Sequence, residues 1–161
     1  MTNKTDKQFF FETSVNWLAA DRGILHAHDV NETIHVTTPA VFGGPGKEWS
    51  PEHLFLGAVI SCYMSTFMSI SKKMGFAVGH FECNAISQVE LVEGKFRFTN
   101  INLYPKIIIA VESLRQKAGL AAQKTQQYCL VANSINATII HHTEILVETH
   151  ATAKIKKAVS L

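Results

Sequence analysis

Cysteine is scarce in this sequence: Cys62, Cys83 and Cys129 are the only three in 161 residues. An odd, sparse and widely spaced set is no framework of structural disulfides, and it points to a reducing compartment. Free cysteines there are either small buried hydrophobes or catalytic, redox-active or metal-ligating thiols, and composition leaves both readings open. Excess charge of one sign is lacking too. The formal net charge is +2, too small to argue for nucleic acid as a partner. A small molecule or a second copy of the chain is the expected partner instead. The start, Met1-Thr2-Asn3-Lys4-Thr5-Asp6, has no apolar signal core. The longest apolar-rich stretch, Leu54 to Ile70, is broken by Ser61, Cys62, Ser65, Thr66 and Ser69, so it reads as a buried helix rather than a membrane span. No membrane association and a cytoplasmic location are the resulting expectations.

Several motifs are missing as well. The glycine-rich stretch Phe42-Gly43-Gly44-Pro45-Gly46 lacks the Gly-Lys-Ser/Thr ending of a phosphate loop, and no GxGxxG occurs. The histidine pairs His26/His28 and His141-His142 are not supported by any HExxH or Cys-x-x-Cys pattern, so no metal and no cofactor are expected. No repeat or low-complexity segment interrupts the chain.

What is present is the composition of one globular domain, 47% hydrophobic and 17% charged, spanning 1–161 with loose tails at 1–8 and 151–161. Phe9 to Leu18, Ile24 to His28 and Thr33 to Thr37 read as a β-meander, with a turn at Ala20-Asp21-Arg22-Gly23. Ser50-Pro51-Glu52 is a strong helix start: a capping hydroxyl, a proline suited to the first position, and an acid at the positive end of the helix dipole. That helix should run to about Met74, ended by Gly75, and its apolar residues are nearly continuous. A helix apolar on almost every side is buried by other elements or by another chain. Phe81 to Val92 and Lys95 to Leu103 read as a hairpin around Glu93-Gly94, interrupted at Pro105. A helix from Ser113 to about Cys129 and a last strand from Thr138 to Thr149 complete the order. Segregated strands and helices give an α+β fold class rather than a parallel βαβ one.

Two of the cysteines lie on helices: Cys62 deep in the long one, Cys129 near the end of the other. A peroxidatic and resolving pair would look like this. One thiolate attacks a peroxide oxygen and becomes a sulfenic acid, and the other thiol condenses with it to a disulfide. The sulfurs must approach to about 2 Å, with Cα atoms within about 7 Å. A reactive thiol also needs a lowered pKa. Cys62 is too far inside its helix to use the dipole, so a cation is expected from elsewhere. Arg22, oriented by Glu52 through a bidentate ion pair, is the leading choice. Glu52 and Cys62 are ten residues apart on one helix, about 15 Å along its axis. If both serve one site, Glu52 must come from a partner chain. Cys83, on a strand without an obvious partner, reads as packing.

The stretch Ser50-Pro51-Glu52-His53-Leu54-Phe55-Leu56-Gly57-Ala58-Val59-Ile60-Ser61-Cys62-Tyr63 resembles the signature helix of the OsmC/Ohr family, osmotically induced protein C and organic hydroperoxide resistance protein. The preceding Thr38-Pro39 and Phe42-Gly43-Gly44 match that family's loop, and Cys129 followed by Asn133-Ser134 matches its second cysteine. The resemblance covers roughly residues 9 to 148 and implies an intertwined α+β homodimer with active sites at the interface. It also implies thiol-dependent reduction of hydroperoxides, with Cys62 peroxidatic, Cys129 resolving and Glu52 the active-site carboxylate. The family's arginine falls on Asp21 in an ungapped count, and Arg22 beside it is the residue expected to act. Cys129 is followed by Leu130 where many members carry proline. An external dithiol would recycle the disulfide. The alternative is a non-enzymatic protein of this fold that binds an apolar ligand or senses oxidants at the interface.

Overall fold

The computed structural model of the chain describes residues 7–149. Two units make it up, Met1–Leu54 and Phe55–Leu161. The expected tail at 151–161 lies outside the described residues.

The first unit is the β-meander. Strands β1 (Thr13–Ala19), β2 (Arg22–Ala27) and β3 (Ile34–Thr37) form an antiparallel sheet in the order β1-β2-β3. β1 begins at Thr13, so Phe9 to Glu12 precede the strand expected to contain them. The turn is confined to Ala20 and Asp21, and Arg22 already pairs with Thr37 as the first residue of β2. A register irregularity between Trp17 and Ala19 accompanies the tight connection. In the loop that follows, Gly43 adopts φ +87, and a Cβ on Gly44 would lie 1.9 Å from the Thr38 carbonyl oxygen. Glycine is therefore required there on steric grounds.

Helix α1 spans Pro51–Lys73. Its start is a capping box with histidine in the usual place of Glu or Gln: the His53 N–H donates to Ser50 Oγ at 3.4 Å, and the Ser50 N–H donates to His53 Nδ1 at 3.3 Å. Its end is Gly75 at φ +69. By length and composition α1 could cross a membrane, with a mean hydropathy of 1.6. Its buried residues nevertheless form one stripe at four-residue spacing, Val59, Tyr63, Phe67 and Ser71.

In the second unit β4 (Val78–Val92) and β5 (Lys95–Ile109) form a long hairpin. Helix α2 (Arg115–Tyr128) follows, then β6 (Thr138–His141) and β7 (Glu144–Val147). The last strand expected from sequence is thus two strands, and both run parallel to β5. The fold is α+β, with a single β-α-β crossover, through α2, among the described residues. Nor does Pro105 interrupt β5. The Leu103 carbonyl accepts from the His142 N–H at 2.8 Å, so Pro105, two residues on, turns its missing N–H to the same edge. That edge is where pairing passes from β6 to β7, so no ladder bond is lost.

The core has two centres. Phe67 packs with Ile107, Ile109, Ala118 and Ala121, where small residues on α2 let it approach closely. Val59 and Tyr63 pack with Ile101, Leu103 and Cys129. Full burial of such side chains contributes about 1.5–3 kcal/mol each. Ile107→Ala should therefore cost about 2–5 kcal/mol in urea unfolding, whereas Leu91→Ala, at 64% exposure, should change stability by less than about 0.5 kcal/mol.

Candidate active site

The hydrophobic contact between α1 and β5 sets Cys62 beside Cys129. Cys62 is the neighbour of buried Tyr63 in sequence and packs against the cluster that contains Cys129. Cys129 ends α2: its N–H still donates to Thr125 at 2.9 Å, but its own backbone turns extended. The Cys129 carbonyl then accepts from Asn133 at 3.0 Å, pinning the following turn. That turn aims the Val131 N–H at the Cys62 sulfur, at 3.5 Å.

The two thiols are free, and Cys62 packs against the apolar cluster that holds Cys129. Their acidities are pushed in opposite directions. For Cys62 burial acts to raise the pKa, but the Val131 N–H, the Cys129 thiol, the Thr66 hydroxyl and the Leu130 N–H outweigh it, and the net shift is downward. Cys62 is only partly buried, so its desolvation is incomplete, and four donors converge on one sulfur. Cys129 is fully buried, and burial, reinforced by the neighbouring Cys62, pushes it up to about 11. Cys83, on β4, is likewise pushed up to about 11 by burial. Within this unit the donors that lower Cys62 are all neutral. The Leu130 and Val131 amides could not be read from sequence, because a backbone donor carries no residue signature. Thr66 could have been, since it lies one helical turn after Cys62.

Arg22 and Glu52 belong to the first unit. Arg22 makes a two-pronged ion pair with Glu48, with Nε to Oε2 at 3.2 Å and the second contact between Nη2 and Oε1. The expected bidentate partner, Glu52, is therefore replaced by Glu48, four residues earlier. The Arg22 bond holds Glu48 below its ordinary carboxylate value, and Glu48 raises Arg22 in turn. The Glu52 carboxylate keeps one oxygen, Oε2, buried with no hydrogen-bond partner. Such an oxygen is costly unless a donor reaches it. Among the described residues no group of three or more His, Cys, Asp or Glu is placed to hold a metal ion.

An α+β protein with two sheets, a long helix and a pair of unbonded, oppositely tuned cysteines defines a class of thiol proteins. The sequence profile of the OsmC-like protein family matches residues 44–144, and the chain belongs to that family. The uncharacterised protein YmaD of Bacillus subtilis is 20% identical over 132 residues, covering 80% of this chain and 88% of its own length. Among solved structures, an OsmC-like protein of unknown function from Vibrio cholerae superposes with a TM-score of 0.75 at 22% identity, covering 86% of this chain and 100% of that one. An organic hydroperoxide resistance protein from Elizabethkingia anophelis gives 0.69 at 17% identity, covering 89% and 100%. These likenesses show the fold.

The tuning of the thiols fixes the order of their alkylation. The thiolate is the reactive form, so a lowered pKa makes it available at lower pH and a raised one delays it. Iodoacetamide titrated upward from acid pH should label Cys62 first, with Cys83 and Cys129 following only in alkali. Thr66→Val should move the Cys62 profile to higher pH, read by peptide mass mapping. Labelling of Cys129 before Cys62 would contradict the assignment.

Proposed function

We propose that the protein is a thiol peroxidase that reduces organic hydroperoxides through Cys62 and Cys129. The observation that carries this reading is the meeting, at one apolar cluster, of two free thiols with opposite acidity. The Cys62 thiolate attacks the terminal peroxide oxygen, the O–O bond breaks, and the departing alkoxide takes a proton to leave as the alcohol. Cys62 is then a sulfenic acid. The Cys129 sulfur attacks it, water leaves, and the disulfide forms. The Cys62 side chain already packs against the cluster that holds Cys129, and the two sulfurs must close to about 2 Å for the bond to form. An external dithiol restores both thiols, and a reducing compartment, the cytoplasm, suits that step.

The working form we propose is a homodimer with sites at the interface. All seven residues of β1 are exposed within the chain, Trp17 at 75%, and Phe9, Phe10 and Phe11 are more than three-quarters uncovered. On α1, Met64 also faces outward at 43%. A monomer rarely leaves so much aromatic and apolar area in water. Glu52 and Cys62 sit about 15 Å apart along one helix, so a site that uses both takes Glu52 from the partner chain. In that site Arg22 stabilises the developing negative charge on oxygen, and Glu52 orients the donors around it.

One equivalent of cumene hydroperoxide should remove two hydrogen atoms, about 2 Da, from the intact mass and give a Cys62–Cys129 bridge in peptide maps. Cys62→Ser should abolish both this product and dithiol-dependent turnover. Arg22→Met should lower kcat/KM on the order of a hundredfold. Oxidation confined to Cys83, or no oxidation, would sink the peroxidase reading and favour a binding or sensing protein of the same fold.

Sedimentation should give twice the chain mass. Refolding inactive Cys62→Ser with inactive Glu52→Gln protein should recover activity, because one of the two interface sites in the mixed dimer is then intact. A monomer, or no recovery in a proven mixed dimer, would contradict the shared site.

A further inference from the structure

His53, in the first turn of α1, has one ring nitrogen committed to the helix cap. Its Nδ1 accepts from the Ser50 N–H at 3.3 Å and lies 3.0 Å from Ser50 Oγ. A backbone N–H can only donate, so Nδ1 carries no proton and the hydrogen sits on Nε2. Ser50 is buried, and the other tautomer would leave its N–H without this partner. The cap therefore fixes both the tautomer and the direction of the ring. Nε2, on the other side of the ring, makes no hydrogen bond among the described residues.

The His53 ring lines a cleft of about 290 Å³ with Lys47, Glu48 and Trp49. Trp49 holds it from one side, edge to face, with ring centres 6.3 Å apart. Glu48, on the same cleft, is the carboxylate that pairs with Arg22. The first unit thus brings a fixed imidazole N–H close to the ion pair that holds its arginine. Lys47 is the other donor on the cleft. It is exposed, makes no ion pair among the described residues, and must give up more side-chain freedom to be aimed.

Resting on the peroxidase reading and on the shared site that takes Arg22 and Glu52 from this unit, we propose that His53 is a further catalytic residue: its Nε2–H donates to the inner oxygen of the hydroperoxide as that oxygen departs. The Cys62 sulfur gives an electron pair to the outer oxygen, which keeps its hydrogen and becomes the sulfenic hydroxyl. The O–O pair stays on the inner oxygen as an alkoxide, which takes a proton from water. His53 stays neutral throughout and acts by hydrogen bonding, beside the charge of Arg22. Such a bond counts in proportion to the charge the oxygen acquires. An alkoxide concentrates that charge on one atom, whereas the carboxylate leaving from a peroxyacid spreads it over two and is a far weaker base. His53 therefore sets a preference for alkyl hydroperoxides over peroxyacids.

The test is the ratio of kcat/KM for cumene hydroperoxide to that for peracetic acid, measured on each variant. Both oxidants meet the same protein sample, so a loss of folded material cancels. His53→Leu should lower the ratio on the order of tenfold. His53→Glu supplies the usual capping acceptor without a donor, so it should restore the urea midpoint that His53→Leu loses while leaving the ratio low. Nitrogen NMR of the unsubstituted protein should show His53 as the Nε2–H tautomer. An unchanged ratio in His53→Leu, a ratio restored together with stability in His53→Glu, or an Nδ1–H tautomer would overturn the proposal. Unsubstituted protein that turns over neither oxidant marks failure of the peroxidase reading itself, and this proposal falls with it.

Discussion

Val59, Tyr63 and Phe67 hold α1 against β5, and the position of the Cys62 sulfur follows from that contact. The stripe faces the sheet, so its neighbour Cys62 stands at the margin, half-buried. Cys129 lies in the same apolar cluster at the point where α2 stops, so packing rather than polar attraction brings the two cysteines together. A change in this stripe would move the sulfur before it touched any chemistry.

The unequal burial that results also sets the acidities. Desolvation acts on both sulfurs in the same direction, against the thiolate. Cys129 receives the larger effect because it is fully enclosed, and donor bonds do not offset it. Cys62 is partly in water and collects two backbone amides, a hydroxyl and a thiol. The end of α2 thus does two things: it delivers a second cysteine, and it turns the Leu130 and Val131 amides toward the first.

Much of this was legible in residue order. Ser50-Pro51-Glu52 and Gly75 bound α1 in the structure as they do in the sequence, and Glu93-Gly94 turns the hairpin. The differences have common physical causes. Pro105 reads as a breaker, yet a strand tolerates proline where the neighbouring partner changes, and only the pairing of β6 and β7 reveals that edge. Thr138 to Thr149 reads as one strand because local propensity carries no information about a shift between partners. Arg22 finds Glu48 instead of Glu52 because the fold of the first unit, and not sequence distance, selects the carboxylate.

The sequence by itself determined the α+β class, the long apolar helix with its caps, the two cysteines placed in one helix and at the end of the other, and the family to which they belong. These follow from short-range rules: capping chemistry, hydrophobic spacing and a motif of adjacent residues. Only the tertiary structure decided that Cys62 packs against the cluster that holds Cys129, and which of the two is acidic. Those properties depend on burial and on the backbone donors of Leu130 and Val131, 68 and 69 positions beyond Cys62, and such distances close only when the chain packs.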